Sequence, residues 1–202
     1  MGLYDTYLAT RLRLSGADLP ETVAVVITER DLLGTGGYGT LADMLEWAFE
    51  FDTERVVVYV SVLDEETTPV LQSELESLDA PREAAVRGPD DHERADAPVQ
   101  VSIGLGGKAE FATAVRGIAE DVATGDLDPD DISEAEVERR LVFPEAPDLV
   151  IKTGGERLSD FMIWQSVYSE LYFTDVNWQN FRQRDYLRAL RDYQQRQRRF
   201  GR

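Results

Sequence analysis

An α/β fold built on a largely parallel sheet is what this sequence predicts, from three observations. Short apolar runs recur without polar alternation, helical patterns lie between them, and the order strand, helix, strand occurs twice. Runs that are apolar on successive residues suit a sheet covered on both faces.

The first run is Val23 to Ile27 (VAVVI) and the second Arg55 to Val62 (RVVVYVSV). Between them Gly39 to Phe51 sets Leu41, Met44, Leu45, Ala48 and Phe49 at helical spacing. The third run, Val99 to Leu105, is followed by Ala109 to Ala123, where Phe111, Val115, Ile118 and Val122 repeat the helical pattern. Ser133 to Leu141 reads as a further helix, with Ser133 and Glu136 as a capping box, before the fourth run, Asp148 to Lys152. Ser159 to Leu171 then spaces Phe161, Trp164, Val167, Tyr168 and Leu171 by threes and fours and predicts a helix, with Glu170 and Asp175 flanking its end. A last helix is expected from about Gln183 to Arg199.

Residues Asp64 to Pro98 break this rhythm with eleven acidic and three basic side chains and several prolines. Only Val70 to Leu78 is helix-like there, so an acidic loop or excursion is expected over about 64–98. A length of 202 residues otherwise fits one domain over 1–202.

The formal charge is −18, from 39 acidic and 21 basic residues. That balance argues against DNA or RNA as the main partner, because neutralising a phosphate backbone takes a basic face. An acidic surface poor in lysine fits a protein kept soluble in concentrated salt, a halophile, and an ordinary acidic protein is the alternative. The absence of cysteine excludes disulfides and thiolate metal sites. Apolar runs too short to cross a bilayer, behind an N-terminus without a long apolar core, lead to the expectation of a cytoplasmic protein.

Lysine occurs at two positions, each beside a Gly-Gly pair: Lys108 in LGGKAE and Lys152 in IKTGGE. The stretch IKTGGERLSDF follows a strand, where ligands of parallel sheets collect. Gly154 and Gly155 would let backbone amides approach an anion, Lys152 and Arg157 would supply charge, and Ser159 could cap a helix or donate to an oxygen. An inert strand-to-helix turn has the same outline. From Arg182 to Arg202 eight arginines face two acids. A helix macrodipole accounts for part of that excess, and a phosphate-bearing ligand or an acidic neighbouring subunit for the rest.

The segment PDLVIKTGGERLSDFMIWQSVYSELYFTDVNWQNF, followed by YLRALRDYQQRQRRFG, resembles the C-terminal part of the cis-prenyltransferases, the undecaprenyl diphosphate synthase family. GLGGKAEFATAVRGIAEDV is similar to that family's Tyr-Gly-Gly-Arg segment and its helix. The resemblance implies an α/β sheet around a hydrophobic tunnel, assembled as a dimer. It also implies Mg2+-dependent condensation of isopentenyl diphosphate with an allylic diphosphate. Carried across, Lys152 stands where the family has an arginine that holds isopentenyl diphosphate. Arg157 and Ser159 match two further diphosphate contacts, although one residue fewer separates Glu156 from Arg157. Glu170 matches a Mg2+-linked glutamate, while Arg199 and Gly201 match an Arg-x-Gly ending that reaches into a neighbouring subunit's site.

Upstream the chain departs from the pattern. Thr28 stands at the position of the family's catalytic Asp, with Glu29 and Asp31 as the nearest carboxylates, and Asp64, Glu65 and Glu66 replace its Glu-Asn-Trp. The helices that would wall a tunnel are largely missing. A chain with one diphosphate site and an assembly tail, lacking the other site, resembles the noncatalytic partner of a heteromeric cis-prenyltransferase. An autonomous Mg2+-dependent enzyme and a noncatalytic isoprenoid-diphosphate binding protein are the alternatives. The expected partners are a catalytic subunit or a second copy, isopentenyl diphosphate and, through a lipid product, the periphery of a membrane.

Overall fold

The structure, a computed structural model, describes residues 3–16, 18–91, 93–94, 96–143, 146–154 and 162–200, except for the side chains of 3–5 and 197–200. Its centre is one six-stranded sheet. The strands are β1 (Thr22–Thr28), β2 (Arg55–Ser61), β3 (Ala84–Arg87), β4 (Val99–Ile103), β5 (Leu149–Thr153) and β6 (Glu170–Thr174). Every neighbouring pair is parallel, in the order β3-β4-β2-β1-β5-β6.

Around the sheet lie α1 (Leu3–Leu14), α2 (Glu29–Leu33), α3 (Gly37–Glu50), α4 (Thr68–Glu76), α5 (Gly107–Thr124), α6 (Glu134–Glu138) and α7 (Gln183–Phe200). The apolar strands are explained by what covers them. Val23, Val25, Ile27, Val56, Val58 and Val60 meet side chains of α1, α3, α4 and α7 in the main core. On the opposite face Ala24, Val26, Val57, Tyr59 and Val150 pack under Leu105, Val142, Phe143 and Met162.

The chain winds outward from β1 in two directions. β2, β4 and β3 lie on one side of it, and β5 and β6 on the other. The crevice at the carboxyl ends of β1 and β5 is therefore the topological switch point, where open parallel sheets bind ligands.

Three expectations need correction. The acidic stretch 64–98 has its expected helix, as α4, but it also contains a 3-10 turn and the edge strand β3 where only loop was expected. Ser159 to Leu171 is not a helix where it is described. A 3-10 turn at Gln165–Tyr168 leads into β6, so Glu170 opens a strand instead of flanking a helix end. The outer edge of β5 carries backbone donors and acceptors that need partners, and β6 supplies them: Glu170 N donates to Asp148 O at 2.9 Å and Gly154 N to Thr174 O at 3.0 Å. Finally, Ser133 makes no side-chain cap bond. Its intended partner Glu136 instead accepts from Arg139 and from Arg140, the latter at 2.6 Å, because a charged pair one turn away competes successfully.

Candidate functional site

Lys152 sits at the switch point. It pairs in register with Val26 of β1 and Phe173 of β6, and strand alternation puts its side chain on the same face as Val26 and Thr28. Only 9% of the residue is exposed, and Nζ donates to Thr153 O at 3.1 Å. Burial pulls the ammonium below the ordinary lysine value, opposed by the charge of Asp31. After Thr153 the chain turns through Gly154, whose φ of +68° needs the freedom of glycine and whose missing Cβ would meet no described residue within 4 Å. A cation at the strand end beside a left-handed glycine turn is suited to receiving an anion. Lys108, by contrast, is exposed on the first turn of α5.

The end of β1 is organised by a capping box. Asp31 N donates to Thr28 Oγ1 at 3.2 Å, and Asp31 Oδ2 accepts from Thr28 N and Thr28 Oγ1, each at 2.8 Å. Residue 28 is neutral, yet a carboxylate is folded back onto it. Gln179 braces the turn by donating to Asp31 O at 3.1 Å, and Trp178 Nε1 donates to Gly37 O at 2.9 Å. The pattern Thr-x-x-Asp at a strand end was the readable signal for this box.

The other two candidate carboxylates lie elsewhere. Glu29 is buried, and its Oε2 accepts from Leu63 N, Asp64 N and Thr67 Oγ1 at 3.0, 3.1 and 3.2 Å. Burial raises its pKa, but these donors and Arg30 outweigh that and leave it lowered. Glu170 pairs with Leu149 at the entry of β5, about 10 Å along the ladder from the Lys152 row at the usual rise per residue. It is bound there to Arg196, with Nη1 to Oε2 at 3.2 Å. The structure thus brings Asp31 to Lys152 and does not bring Glu29 or Glu170 there. Gly155, Arg157, Ser159 and Gly201, and the side chain of Arg199, lie outside the described residues.

Mg2+ is met by one or two protein carboxylates, with water and phosphate oxygens filling the other positions. Asp31 fits that demand: the cap engages Oδ2, and Oδ1 accepts no hydrogen bond among the described residues. Among those residues no group of three or more His, Cys, Asp or Glu could cage an ion alone. The fit is to a metal arriving with a phosphate ligand.

One feature was not legible in the sequence. Glu110, buried in the first turn of α5, accepts from Val142 N at 2.8 Å, Phe143 N at 3.1 Å and Gln165 Nε2 at 3.2 Å. Gln165 also donates to Phe143 O at 2.8 Å. Gly107 lies so close to the following segment that a Cβ there would stand 2.9 Å from Ile163 N and 3.0 Å from Met162 N. The Gly-Gly before Lys108 therefore allows α5 to approach the chain where it re-emerges at Met162.

With this geometry established, comparisons place the chain among known proteins. A family model described as "Putative undecaprenyl diphosphate synthase" matches residues 70–201. A Thermococcus kodakarensis protein named tritrans,polycis-undecaprenyl-diphosphate synthase (geranylgeranyl-diphosphate specific) is 31% identical over 246 aligned residues, covering 98% of this chain and 92% of that one. The alignment is longer than this chain, so that relative has segments this one lacks. A Methanocaldococcus jannaschii protein of the same name is 51% identical over 109 residues, 51% of this chain but only 39% of its own length. Among solved structures, lavandulyl diphosphate synthase from Lavandula x intermedia, in complex with dimethylallyl diphosphate, superposes with a TM-score of 0.71 at 23% identity, over 87% of this chain and 95% of that one. A probable undecaprenyl diphosphate synthase from Campylobacter jejuni gives 0.69 at 20% identity, over 92% and 100%. At those identities the two structures share the fold.

Proposed function

The chain belongs to the cis-prenyltransferase (undecaprenyl diphosphate synthase) family, and from that premise we propose that it serves polyprenyl diphosphate synthesis as a noncatalytic partner subunit. In the supported reaction, C1 of an allylic diphosphate bonds to the terminal alkene carbon of isopentenyl diphosphate. Diphosphate leaves from the first substrate, and a proton is lost from C2 of the second. Lys152, with Gly154, Gly155, Arg157 and Ser159, would hold the isopentenyl diphosphate. Arg199 and Gly201 would complete the site of the neighbouring subunit.

The packing of the main core carries this reading. Leu41, Met44 and Leu45 of α3 and Leu71 of α4 meet Val56, Val58 and Val60 of β2 with no exposed surface, so no water-sized space adjoins them. A growing prenyl chain needs an apolar channel, and none adjoins these described side chains. The partner's face is supported by Ile163, Val167, Tyr168 and Phe173, apolar side chains exposed on the segment leading into β6 and on β6 itself. Edge strands and apolar patches left open in this way call for a cover. A second copy would fit the same face.

The second reading, an autonomous Mg2+-dependent cis-prenyltransferase, is favoured by the Asp31 carboxylate at the end of β1. Incorporation of labelled isopentenyl diphosphate decides between them, using the chain alone and co-expressed with an intact synthase from the same cell. Little product from the isolated chain and stimulation in the pair are expected. Robust synthesis by the isolated chain would overturn the subunit reading. A membrane periphery enters this account through the family alone; no described helix is long and apolar enough to cross a membrane.

A further inference from the structure

The first and last helices meet along one stripe apiece. Leu8, Arg11 and Leu12 of α1, with Ser15 just beyond it, are spaced by threes and fours, as are Arg191, Gln194 and Gln195 of α7. Leu8 and Leu12 are buried in the main core, and around the polar members of the two stripes a cavity of about 30 Å³ remains. A wider groove of about 400 Å³ shares Arg11 and Ser15 with it and continues to Tyr7, Thr10 and Leu14. The cavity has room for about one or two water molecules, and the groove for the rest of a small ligand.

Charge singles out the same place. The acids of α7 are engaged, Asp185 by Arg184 and Arg188 and Asp192 by Arg196, while Arg13 of α1 reaches Glu50. Arg11 and Arg191 form no ion pair among the described residues. Arg11 donates to Tyr7 Oη at 3.4 Å, and Arg191 Nε is buried with no hydrogen-bond partner there. No described carboxylate lines the cavity or the groove, in a chain whose formal charge is −18. An unmade bond on a buried guanidinium is costly, and two uncompensated cations on one cavity repel. A single oxyanion relieves both.

We propose that the cleft between α1 and α7 binds a phosphate group, free or as the monoester at the end of an apolar chain, with Arg191 and Arg11 holding its oxygens. Two guanidinium forks and the Gln195 amide offer more donors than the two oxygens of a planar carboxylate engage, whereas a phosphate monoester has three terminal oxygens to meet them. Tyr7 and Leu14, 55% and 80% exposed on the groove, give an ester's chain a surface to lie on. The cleft is separate from Lys152. That lysine shares a row and a face with Val26, while α1 and α7 cover the opposite face, with Val23 and Val25. A ligand here bridges the two ends of the fold and stabilises it by mass action.

Calorimetric titration of the full chain with inorganic phosphate at fixed ionic strength tests this, with Lys152→Ala titrated alongside so that binding away from the switch point is read. Saturable binding that survives Lys152→Ala and raises the melting temperature is expected. Arg191→Ala should weaken it about tenfold or more. Arg11→Ala, at an exposed position, should weaken it while leaving the melting temperature of the free chain unchanged. Arg184→Ala, which removes an arginine paired with Asp185, should bind as before. Hexyl phosphate separates the two sources: tighter binding than inorganic phosphate assigns the site to a chain-borne ester, and equal binding to the free anion. Absence of saturable binding in Lys152→Ala, affinity unchanged in Arg191→Ala or Arg11→Ala, or an equal loss in Arg184→Ala would overturn the proposal.

Discussion

Glu170 and Arg196 join the entry of the edge strand β6 to α7, with Arg196 Nη1 3.2 Å from Glu170 Oε2. Arg196 also reaches Asp192 at 2.9 Å. Glu170→Ala therefore leaves the arginine paired, and the loss should stay within about 1 kcal/mol, as for other half-exposed ion pairs. Thermal denaturation checks this. Mn2+ binding by the isolated chain should be unaffected, whereas a loss would place Glu170 at the metal.

Gly107→Ala places a Cβ against backbone atoms, Ile163 N and Met162 N, that cannot swing aside as a flexible side-chain end would. A cost of about 1–3 kcal/mol is expected, the range for overpacking a filled interior. Urea unfolding would measure it as a lower midpoint with an unchanged slope.

Glu110→Ala removes the acceptor for two buried amides and one side-chain N–H. Each stranded donor costs about 1–3 kcal/mol, so this should be among the most destabilising single changes on α5. Glu110→Gln retains one acceptor oxygen and should recover part of the loss in the same unfolding experiment.

Glu29 and Lys152 each contribute to the pH response. The Glu29 carboxyl is lowered in the fold, so its contribution is complete above the ordinary value of 4.5 and is lost as pH falls through the folded value below it. Glu29→Gln should flatten the acid limb of the stability curve. Lys152 is also lowered, which reverses the sense for a base: its burial destabilises the fold while it is charged, and stability is recovered as pH rises from its folded value towards 10.5. Pyrophosphate binding, which needs the charged form, should weaken over that same rise. Calorimetric titration of wild type against Lys152→Arg should show the decline in the wild type alone.

Tyr168→Asp adds a charge to a side chain that is 95% exposed, so the isolated fold should melt as before. If the exposed apolar segment before β6 is the covered face, the variant should shift the assembly towards monomer in light scattering. An unchanged mass would assign the cover to another face.

How far the sequence could be read depended on which force acted. β1, β2, β4 and β5 were legible because burial on both faces demands continuous apolar runs, and α3, α5 and α7 because each buries an apolar stripe, α3 and α7 in the main core and α5 in a smaller cluster with α6. β6 was misread because Trp164, Val167, Tyr168 and Leu171 keep a helical spacing that the open edge of β5 overrides. β3 has only four residues among acids, too short to show a period. Lys152 and its strand-end position were readable from strand, lysine and Gly-Gly. Thr28 was read only as a missing carboxylate, since a side chain returning from three residues ahead is invisible when positions are compared one at a time. The Glu110 hub joins residues remote in sequence, and no local pattern announces it.

The two outermost described helices close on each other. Leu8 and Leu12 of α1 are buried in the core that α7 completes, and Ser15 Oγ donates to Gln194 Oε1 at 3.0 Å. β1 likewise waits for β5, with Val23 facing Leu149. During synthesis, then, α1 emerges long before the helix that covers it, since Ser15 and Gln194 are 179 residues apart. Until α7 follows, Leu8 and Leu12 lack that part of their cover, and in the interval chaperones and proteases have access to them.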